Sequence, residues 1–458
     1  MQYISTRGQT APQPFKDAVL TGLAPDGGLL IPESFPQVQT DLDRLRTLDF
    51  VGLAQEVVAL YAPDFDREDL NELIRAAYAS FDHEEVVALK QIGDLHVLEL
   101  FHGPTLAFKD VALQLLGQLF RYILAERDQR LNIIGATSGD TGSAAIAGVR
   151  GQPNIDIFIM FPKGRVSPLQ QLQMTSIPDA NVHCLEVTGS FDDCQSMLKA
   201  TFGDLDFKAR YALGAVNSVN WARVLAQVIY YGYAALKLAD QGPVSFCVPT
   251  GNFGNVFAGF VAREMGFPIE RLVVATNEND ILARFFETGA YERRDVNFTV
   301  TPAMDIQVAS NFERYLYFHL KQDAEALRAF MAQFAEHGTA TLPGGAPPAC
   351  DFEATAVGAP DTLTAITETY QRYQYVADPH TAVGIAAAAR VPRTGPMVCV
   401  ATAHPAKFPE SVDAALGAEL ARHPRLEALR GLPQRFDPLE PTVAALKDYI
   451  AHHYGGEA

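Results

Sequence analysis

Lys109 is the side chain of this sequence best placed for covalent chemistry, because it follows Phe108 and opens an apolar segment of helical spacing. The positive end of the helix dipole and partial desolvation both disfavour an ammonium at a helix start. Both effects lower the pKa of the lysine and suit its amine to forming a Schiff base. A surface lysine whose stem lies along apolar neighbours is the alternative interpretation of this residue taken alone.

Two turns rich in glycine and small polar residues, 135–143 and 249–255, each follow a short apolar segment. Small residues let the backbone approach a ligand closely, and the N–H groups of a helix start can bind an anion. Neither turn contains the phosphate-loop or G-x-G-x-x-G pattern of nucleotide-binding proteins. Each turn by itself is also compatible with an ordinary capped helix start. Two turns of this kind in one chain favour a protein that binds phosphate groups.

Five further polar residues could contribute to the same site. Asn217, Asn220 and Arg223 open a long helical segment, in which the last two share a face because they are three residues apart. An arginine there suits bidentate binding of a phosphate or a carboxylate, although an asparagine cap beside a solvated arginine explains the pattern equally well. The hydroxyl of Thr402 at a strand end and the imidazole of His380 at a helix start are ambiguous by themselves.

The elements that must position these residues follow an alternating order from about residue 95 onward. Short apolar strands are predicted at 96–100, 131–134, 155–161, 182–187, 244–248, 272–275 and 397–402, with helices at 112–126, 144–149, 192–202 and 221–238. This alternation predicts an α/β fold with mostly parallel strands, in which ligands bind at the carboxyl ends of the strands. Before residue 95 the spacing favours helices at 50–60 and 70–81, and residues 338–360 are predicted to form a long surface loop.

Composition and charge exclude several classes of protein. With 48% apolar and 20% charged residues the chain has the composition of a globular protein. A net charge of −18 argues against a nucleic acid or an anionic membrane surface as the main partner. No apolar run has the length of a membrane span, and the first residues lack the apolar stretch of a signal peptide. The five scattered cysteines fit neither a disulfide framework nor a zinc site, so we expect a reduced cytoplasmic protein without a metal.

Taken in order, these segments resemble the threonine synthases, pyridoxal-phosphate enzymes of fold type II, in their longer microbial and fungal form. The resemblance runs over nearly the whole chain and rests on residues 3–8, 22–29, 100–110, 137–142, 167–170, 251–254 and 402–408. It implies a fold like that of the tryptophan synthase β chain, with a large and a smaller domain. We expect a mostly helical segment over 1–92, a large cofactor-binding domain over 93–130 and 206–458, and a smaller mobile domain over 131–205.

The resemblance also implies a role for each matched residue. Lys109 resembles the lysine that holds pyridoxal 5′-phosphate as a Schiff base, and Thr402 resembles the hydroxyl partner of the pyridine nitrogen. Asp140 stands where shorter relatives have an asparagine beside the 3′-oxygen of the cofactor. The cup for the 5′-phosphate corresponds to Gly251, Asn252, Phe253, Gly254 and Asn255. The substrate side corresponds to Thr137, Ser138, Thr141, Asn217, Asn220 and Arg223, with Lys163 and Arg165 as weaker candidates.

The implied reaction converts O-phospho-L-homoserine and water to L-threonine and phosphate, in a monomer or a homodimer. Another fold type II enzyme, such as a threonine or serine dehydratase, is the main alternative and would share Lys109 and the phosphate cup. A non-catalytic protein that stores the cofactor would have lost Lys109 or the substrate-side residues. A nucleotide-binding α/β protein would carry one of the missing phosphate fingerprints.

Overall fold

The computed structural model describes residues 1–137, 139–345, 351–392 and 394–454. Within these ranges strands β1 to β15 are, in order, Tyr3–Ser5, Leu30–Pro32, Ala88–Ile92, Leu95–Glu99, Leu131–Ala136, Ile155–Pro162, Val182–Val187, Leu213–Gly214, Val244–Pro249, Ile269–Thr276, Ala290–Glu292, Thr339–Thr341, Glu353–Ala356, Met397–Ala401 and Asp437–Leu439. Helices α1 to α19 are, in order, Phe15–Thr21, Leu42–Leu45, Phe50–Tyr61, Arg67–Tyr78, Lys109–Arg127, Asp140–Val149, Pro168–Thr175, Phe191–Gly203, Leu205–Arg210, Trp221–Lys237, Gly254–Glu264, Ile281–Thr288, Phe312–His319, Ala324–His337, Ala359–Tyr373, Pro379–Ala388, Pro409–Leu416, Pro424–Glu427 and Val443–His453. Each predicted strand overlaps one of these strands.

Strands β9 and β14, which precede two of the predicted polar segments, belong to a six-stranded sheet with the order β13-β10-β9-β14-β4-β3. Its strands run parallel except for the antiparallel pair β3–β4. Alternate residues of β14 enter two different hydrophobic cores, Val398 and Val400 on one face and Met397 and Cys399 on the other. Both faces of the sheet are therefore covered, which explains why its central strands read as continuous apolar runs.

A second, fully parallel sheet has the order β15-β7-β6-β5-β8. Leu446 and Ile450 of α19 pack in the core of this sheet. The elements of this unit do not follow the predicted domain boundaries. Strands β8 and β15 of the sheet, and helix α19 that packs on it, lie outside residues 131–205. Similarly β3, which falls in the predicted segment 1–92, belongs to the six-stranded sheet. Strands β8 and β15 escaped prediction because their pairing partners are distant in sequence, and β15, with the sequence Asp-Pro-Leu, has little strand character of its own. Strand β3 pairs locally with β4 across Gly93 and Asp94, a hairpin that the prediction missed.

The leading part of the chain is mostly helical, as predicted, with one antiparallel pair, β1–β2. Helix α3 matches the predicted helix 50–60, and α4 lies three residues earlier than the predicted helix 70–81 because Asp66 caps its start. The predicted surface loop 338–360 is wrong at two places. Strand β12 pairs with β11, and β13 pairs with β10 at the sheet edge. Residues 346–350 of that loop lie outside the described residues.

None of the helices in the described ranges has both the length and the apolar character that crossing a membrane requires.

Candidate active site

The main chain around Lys109 is fixed to the end of β14. The N–H of Phe108 donates to the carbonyl oxygen of Thr402 over 2.8 Å, and the N–H of His404 donates to the carbonyl oxygen of Leu106 over 3.0 Å. Leu106 adopts a positive φ of 62° at this crossing. Two segments that are almost 300 residues apart in sequence are thereby held together. Lys109 and Thr402, which sequence patterns could only nominate separately, lie at one site.

The ammonium of Lys109 is largely buried and faces one carboxylate. Its Nζ lies 3.7 Å from Oδ2 of Asp140, and 13% of the lysine side chain is exposed. Burial lowers the pKa of Lys109, the charge of Asp140 opposes this effect, and the nearby charges of Lys407 and Arg223 add to it. The net lowering agrees in direction with the sequence prediction. It leaves the amine of Lys109 more readily available as a nucleophile or a base.

Lys407 is a charged residue of this site that the sequence patterns did not single out. Its side chain is fully buried, and its Nζ lies 3.0 Å from Oδ1 of Asp140. The same Nζ donates to the carbonyl oxygen of Thr105 over 2.7 Å and to Oε1 of Gln173 over 2.8 Å. The sequence does contain one signal for a buried lysine at this position: Lys407 lies among apolar residues, Pro-Ala-Lys-Phe, shortly after Thr402.

Asp140 therefore stands between two ammonium groups at the start of α6. Burial raises the pKa of Asp140, but the charges of Lys407 and Lys109 outweigh burial and hold this pKa well below its ordinary value. Nε2 of Gln170 also donates to its Oδ1 over 2.9 Å. Asp140 is consequently a fixed negative charge at the active site.

The turn that precedes Asp140 is closed by hydrogen bonds to the hydroxyl of Thr137. Oγ1 of Thr137 accepts hydrogen bonds from the N–H groups of Gly139 and Gly142, over 3.0 and 3.1 Å. Thr141, in the first turn of α6, is half-buried. The predicted substrate residue Ser138 lies outside the described residues. These contacts assign the Thr137 hydroxyl to the shape of the turn, so that its part in ligand binding would be indirect.

The turn after β9 ends differently, because Thr137 supplies a side-chain acceptor at the start of α6, whereas among the described residues none is found at the start of α11. Phe253 precedes the helix with a positive φ of 64°, and its ring packs against Phe312 and Phe352 with ring centroids 5.3 and 5.2 Å away. The aromatic ring thus points into the core, and only the main chain of Phe253 can serve a ligand. The N–H groups of the first helical turn are left for an anion, which is the geometry of a phosphate cup.

The glycines of this second turn are required by close packing. A Cβ at Gly251 would lie 2.8 Å from the carbonyl oxygen of Ala303, and a Cβ at Gly254 would lie 3.0 Å from Nδ2 of Asn311. The N–H of Asn311 also donates to the carbonyl oxygen of Asn252 over 3.0 Å. The segment that contains Ala303 and Asn311 therefore supports the cup from outside.

Buried polar atoms without partners mark where ligands fit. Oδ1 of Asn255 accepts hydrogen bonds from the hydroxyls of Tyr230 and Tyr231, over 2.7 Å each, whereas its Nδ2 is buried and has no partner in the described part of the chain. Nε and Nη1 of Arg223 are likewise buried and unpartnered among the described residues. Burial lowers the pKa of Arg223 to about 10. Unpaired buried donors are costly, so these atoms fit a site that binds anionic groups.

Three predicted substrate residues have contacts that argue against that role. Oδ1 of Asn220 accepts from the N–H of Ala222 and its Nδ2 donates to the carbonyl oxygen of Val19, so this side chain caps α10 and fastens it to α1. The side chain of Lys163 is 63% exposed and pairs with Glu186, and Arg165 is also exposed. We leave these three residues out of the substrate site.

The remaining candidates have the following contacts. Asn217 is half-buried and its Oδ1 accepts from the N–H of Val219 over 3.2 Å. Thr402 is buried, and its N–H donates to Oγ1 of Thr381 over 3.3 Å. Nδ1 of His380 lies 3.0 Å from Oδ1 of Asp378, so this histidine is held by its own helix start. In the described residues, no group of three or more His, Cys, Asp and Glu side chains could hold a metal ion.

Family models match three parts of the chain. The model "Threonine synthase N terminus" matches residues 2–78, "Pyridoxal-phosphate dependent enzyme" matches residues 86–403, and "Threonine synthase, C-terminal" matches residues 381–450. The middle model alone covers more than half of the chain and includes both Lys109 and Thr402.

Several of the similar proteins are threonine synthases. The chain is 45% identical to threonine synthase of Schizosaccharomyces pombe, over 91% of this chain and 90% of the relative. It is 43% identical to threonine synthase of Pseudomonas aeruginosa, over 99% and 98%. The crystal structure of threonine synthase from Brucella melitensis with bound pyridoxal phosphate superimposes with a TM-score of 0.96, at 46% identity and full coverage of both chains. The chain belongs to the threonine synthase family, pyridoxal-phosphate-dependent lyases of fold type II that act on a small-molecule substrate.

Proposed function

We propose that this enzyme converts O-phospho-L-homoserine and water to L-threonine and inorganic phosphate. The observation that carries the proposal is the buried cluster of Lys109, Asp140 and Arg223, in which Nε and Nη1 of the arginine have no partner in the described part of the chain. Such a cluster offers one amine for covalent chemistry and one cation for an anionic substrate group. A dehydratase, the alternative weighed above, has no need of a cation for a substrate phosphate.

Pyridoxal phosphate, when bound, supplies an electron sink for negative charge that develops on the substrate carbon beside the amino group. Lys109 is the residue that would hold it. The N–H groups at the start of α11, with Gly251, Asn252, Phe253, Gly254 and Asn255, would hold its 5′-phosphate. The hydroxyl of Thr402 would face the pyridine nitrogen, and as a neutral partner it would leave that nitrogen largely unprotonated. Asp140 would lie beside the 3′-oxygen.

The chain itself supplies the proton transfers. The amine of Lys109, once released by substrate, would accept the proton from the α-carbon, give it up, and then accept one from the β-carbon. Its lowered pKa favours the unprotonated form that can accept these protons. After phosphate leaves the γ-carbon, one of the two protons would go to the γ-carbon, which becomes the methyl group, and the other would return to the α-carbon. Water would add its hydroxyl at the β-carbon and give its proton to the phosphate.

Arg223 would bind one anionic group of the substrate, with Thr141 and Asn217 as polar neighbours. Thr137 would act through the shape of its turn, and Ser138 stays a prediction from the sequence. The first turn belongs to the five-stranded sheet, and the phosphate cup belongs to the six-stranded sheet. The ion pair Lys109–Asp140 therefore connects the part of the chain around the five-stranded sheet with the part around the six-stranded sheet. This contact supports closure of the smaller part, around the five-stranded sheet, on the substrate. Small-angle scattering curves that are identical with and without a substrate analogue would contradict a large closure.

The proposal is tested by supplying O-phospho-L-homoserine to the purified holoenzyme and quantifying L-threonine and inorganic phosphate together. Equimolar formation of the two products is expected. Release of a 2-oxo acid from L-threonine or L-serine, without any L-threonine from phosphohomoserine, would favour the dehydratase instead. We further propose a cytoplasmic enzyme that works as a monomer or a homodimer.

A further inference from the structure

A buried lysine needs a reason, because its desolvation is costly unless every proton finds a partner. Lys407 has three partners, each on a different segment: the carboxylate of Asp140, the carbonyl oxygen of Thr105 and the side chain of Gln173. No part of its side chain is exposed. The ammonium thus joins the starts of α5 and α6 to helix α7.

The contact with Thr105 extends to the residue after Lys109. The N–H of Thr105 donates to Oδ2 of Asp110 over 2.8 Å, and its hydroxyl donates to Oδ1 over 2.6 Å. Lys407, Thr105 and Asp110 form a chain of buried contacts that ends at the first turn of α5. A change at Lys407 would therefore reach Lys109 through the backbone as well as through charge.

We propose that Lys407 is a positioning residue of this active site: it holds Asp140 as the fixed counter-charge beside Lys109 and thereby controls the protonation of the Lys109 amine. The inference rests on the proposed function only in taking Lys109 as the reactive amine. Lys407 itself touches Asp140 and Thr105, so its effect on the reaction is exerted through them.

The charged groups around Lys109 determine how its protonation should respond to the loss of Lys407. These are Asp140 and Asp110 as carboxylates and Lys407 and Arg223 as cations. His380 is the further titratable group near Asp140. Removing Lys407 alone leaves the negative charge of Asp140 uncompensated, which favours a protonated Lys109. Removing the charge of Asp140 alone has the opposite effect, and removing both charges cancels most of the change.

The experiment is competitive acetylation of the full chain with trace acetic anhydride at a series of pH values, after removal of the cofactor so that the amine of Lys109 is free, with the modification of Lys109 read by mass spectrometry and the fold checked by circular dichroism. The exposed Lys163 serves as the internal reference. In Lys407→Met the midpoint for Lys109 should rise by about one pH unit or more, and in Asp140→Asn it should fall by a similar amount. The double variant should return close to the parent, and Lys407→Arg should also stay close to it.

The proposal is overturned if Lys407→Met and Asp140→Asn move the midpoint in the same direction, or if neither moves it. A purely structural role would lower stability without these opposite movements. Should Lys407→Met fail to fold, Asp140→Asn and the double variant, which leaves the net charge of the cluster unchanged, still decide the question. If the two variants move the midpoint in opposite directions but the enzyme forms no L-threonine, the proposed function is refuted and this inference stands. If L-threonine is formed but the midpoint does not move in opposite directions, the proposed function stands and this inference is refuted.

Discussion

At the end of β5, the N–H groups of Gly139 and Gly142 close on the hydroxyl of Thr137, and the carboxylate of Asp140 occupies the start of α6. At the end of β9, residues 250–255 leave the start of α11 without a side-chain cap, and Phe253 turns its ring into the aromatic core. Both turns are rich in glycine and small polar residues, and both lead from a parallel strand into a helix.

The difference lies in the charge that each helix start already holds. The positive end of α6 carries Asp140, which two ammonium groups balance, so this turn brings a fixed charge to Lys109. The positive end of α11 carries no charged side chain in its first turn and is suited to an external anion. Two turns of one sequence type thus serve two purposes, and the following changes test that division.

Replacing Lys109 by alanine should have the largest effect, because its amine is the proposed nucleophile and proton acceptor of the reaction. We expect turnover to fall by about 10⁴-fold or more, together with loss of the visible absorption of the cofactor Schiff base. Circular dichroism should report a folded chain. A variant that keeps normal turnover would remove Lys109 from the mechanism.

Arg223→Ala should separate substrate binding from cofactor binding. Two guanidinium nitrogens, Nε and Nη1, are buried without a partner among the described residues, so the loss of Arg223 should lower kcat/KM for the phosphorylated substrate by about 10²-fold while the cofactor affinity changes little. Arg223→Lys, which keeps the charge without the planar fork, should recover part of the activity. Equal losses of substrate and cofactor affinity would show that Arg223 has been misplaced.

Asn255→Asp makes the second turn resemble the first by adding a carboxylate near its helix start. The new side chain can still accept hydrogen bonds from Tyr230 and Tyr231, so the change is mainly one of charge. Repulsion of the cofactor phosphate should raise the Kd for the cofactor by about tenfold. Asn220→Asp is the matched control, since that side chain serves the fold, and its cofactor affinity should stay near that of the parent.

His404, which belongs to neither turn, should give the smallest effect. Burial, aided by the charge of His423, lowers its pKa from 6.5 to about 4. Between these values the unfolded chain binds a proton that the folded chain does not, so stability is complete above about pH 6.5 and is lost as the pH falls toward 4.

The loss should amount to about 2–3 kcal/mol at the acid end of that range. Asn at this position keeps an acceptor for the N–H of Ala406, so His404→Asn should have a flatter pH dependence. Urea midpoints of the two proteins, taken at neutral pH and inside that range, measure the difference. Parallel pH profiles would assign the acid sensitivity to other groups.

The strand ends could be predicted from the sequence, and Lys109 could be singled out as a candidate reactive amine, because their signals are local: apolar runs, glycine-rich turns and a lysine at a helix start. Lys407 could not, since its role depends on Asp140, which is distant in sequence. Asn220 was predicted as a substrate residue because an asparagine before a helix has the same pattern whether it caps the helix or binds a ligand. Only the contact with Val19 on another helix distinguishes the two.

The most direct test of the division between the two turns is a crystal structure of the holoenzyme. The cofactor phosphate should lie at the start of α11, within hydrogen-bond distance of the main-chain N–H groups of Gly254 and Asn255, with Lys109 joined to the cofactor. A phosphate bound instead at residues 137–142, beside Asp140, would contradict the account.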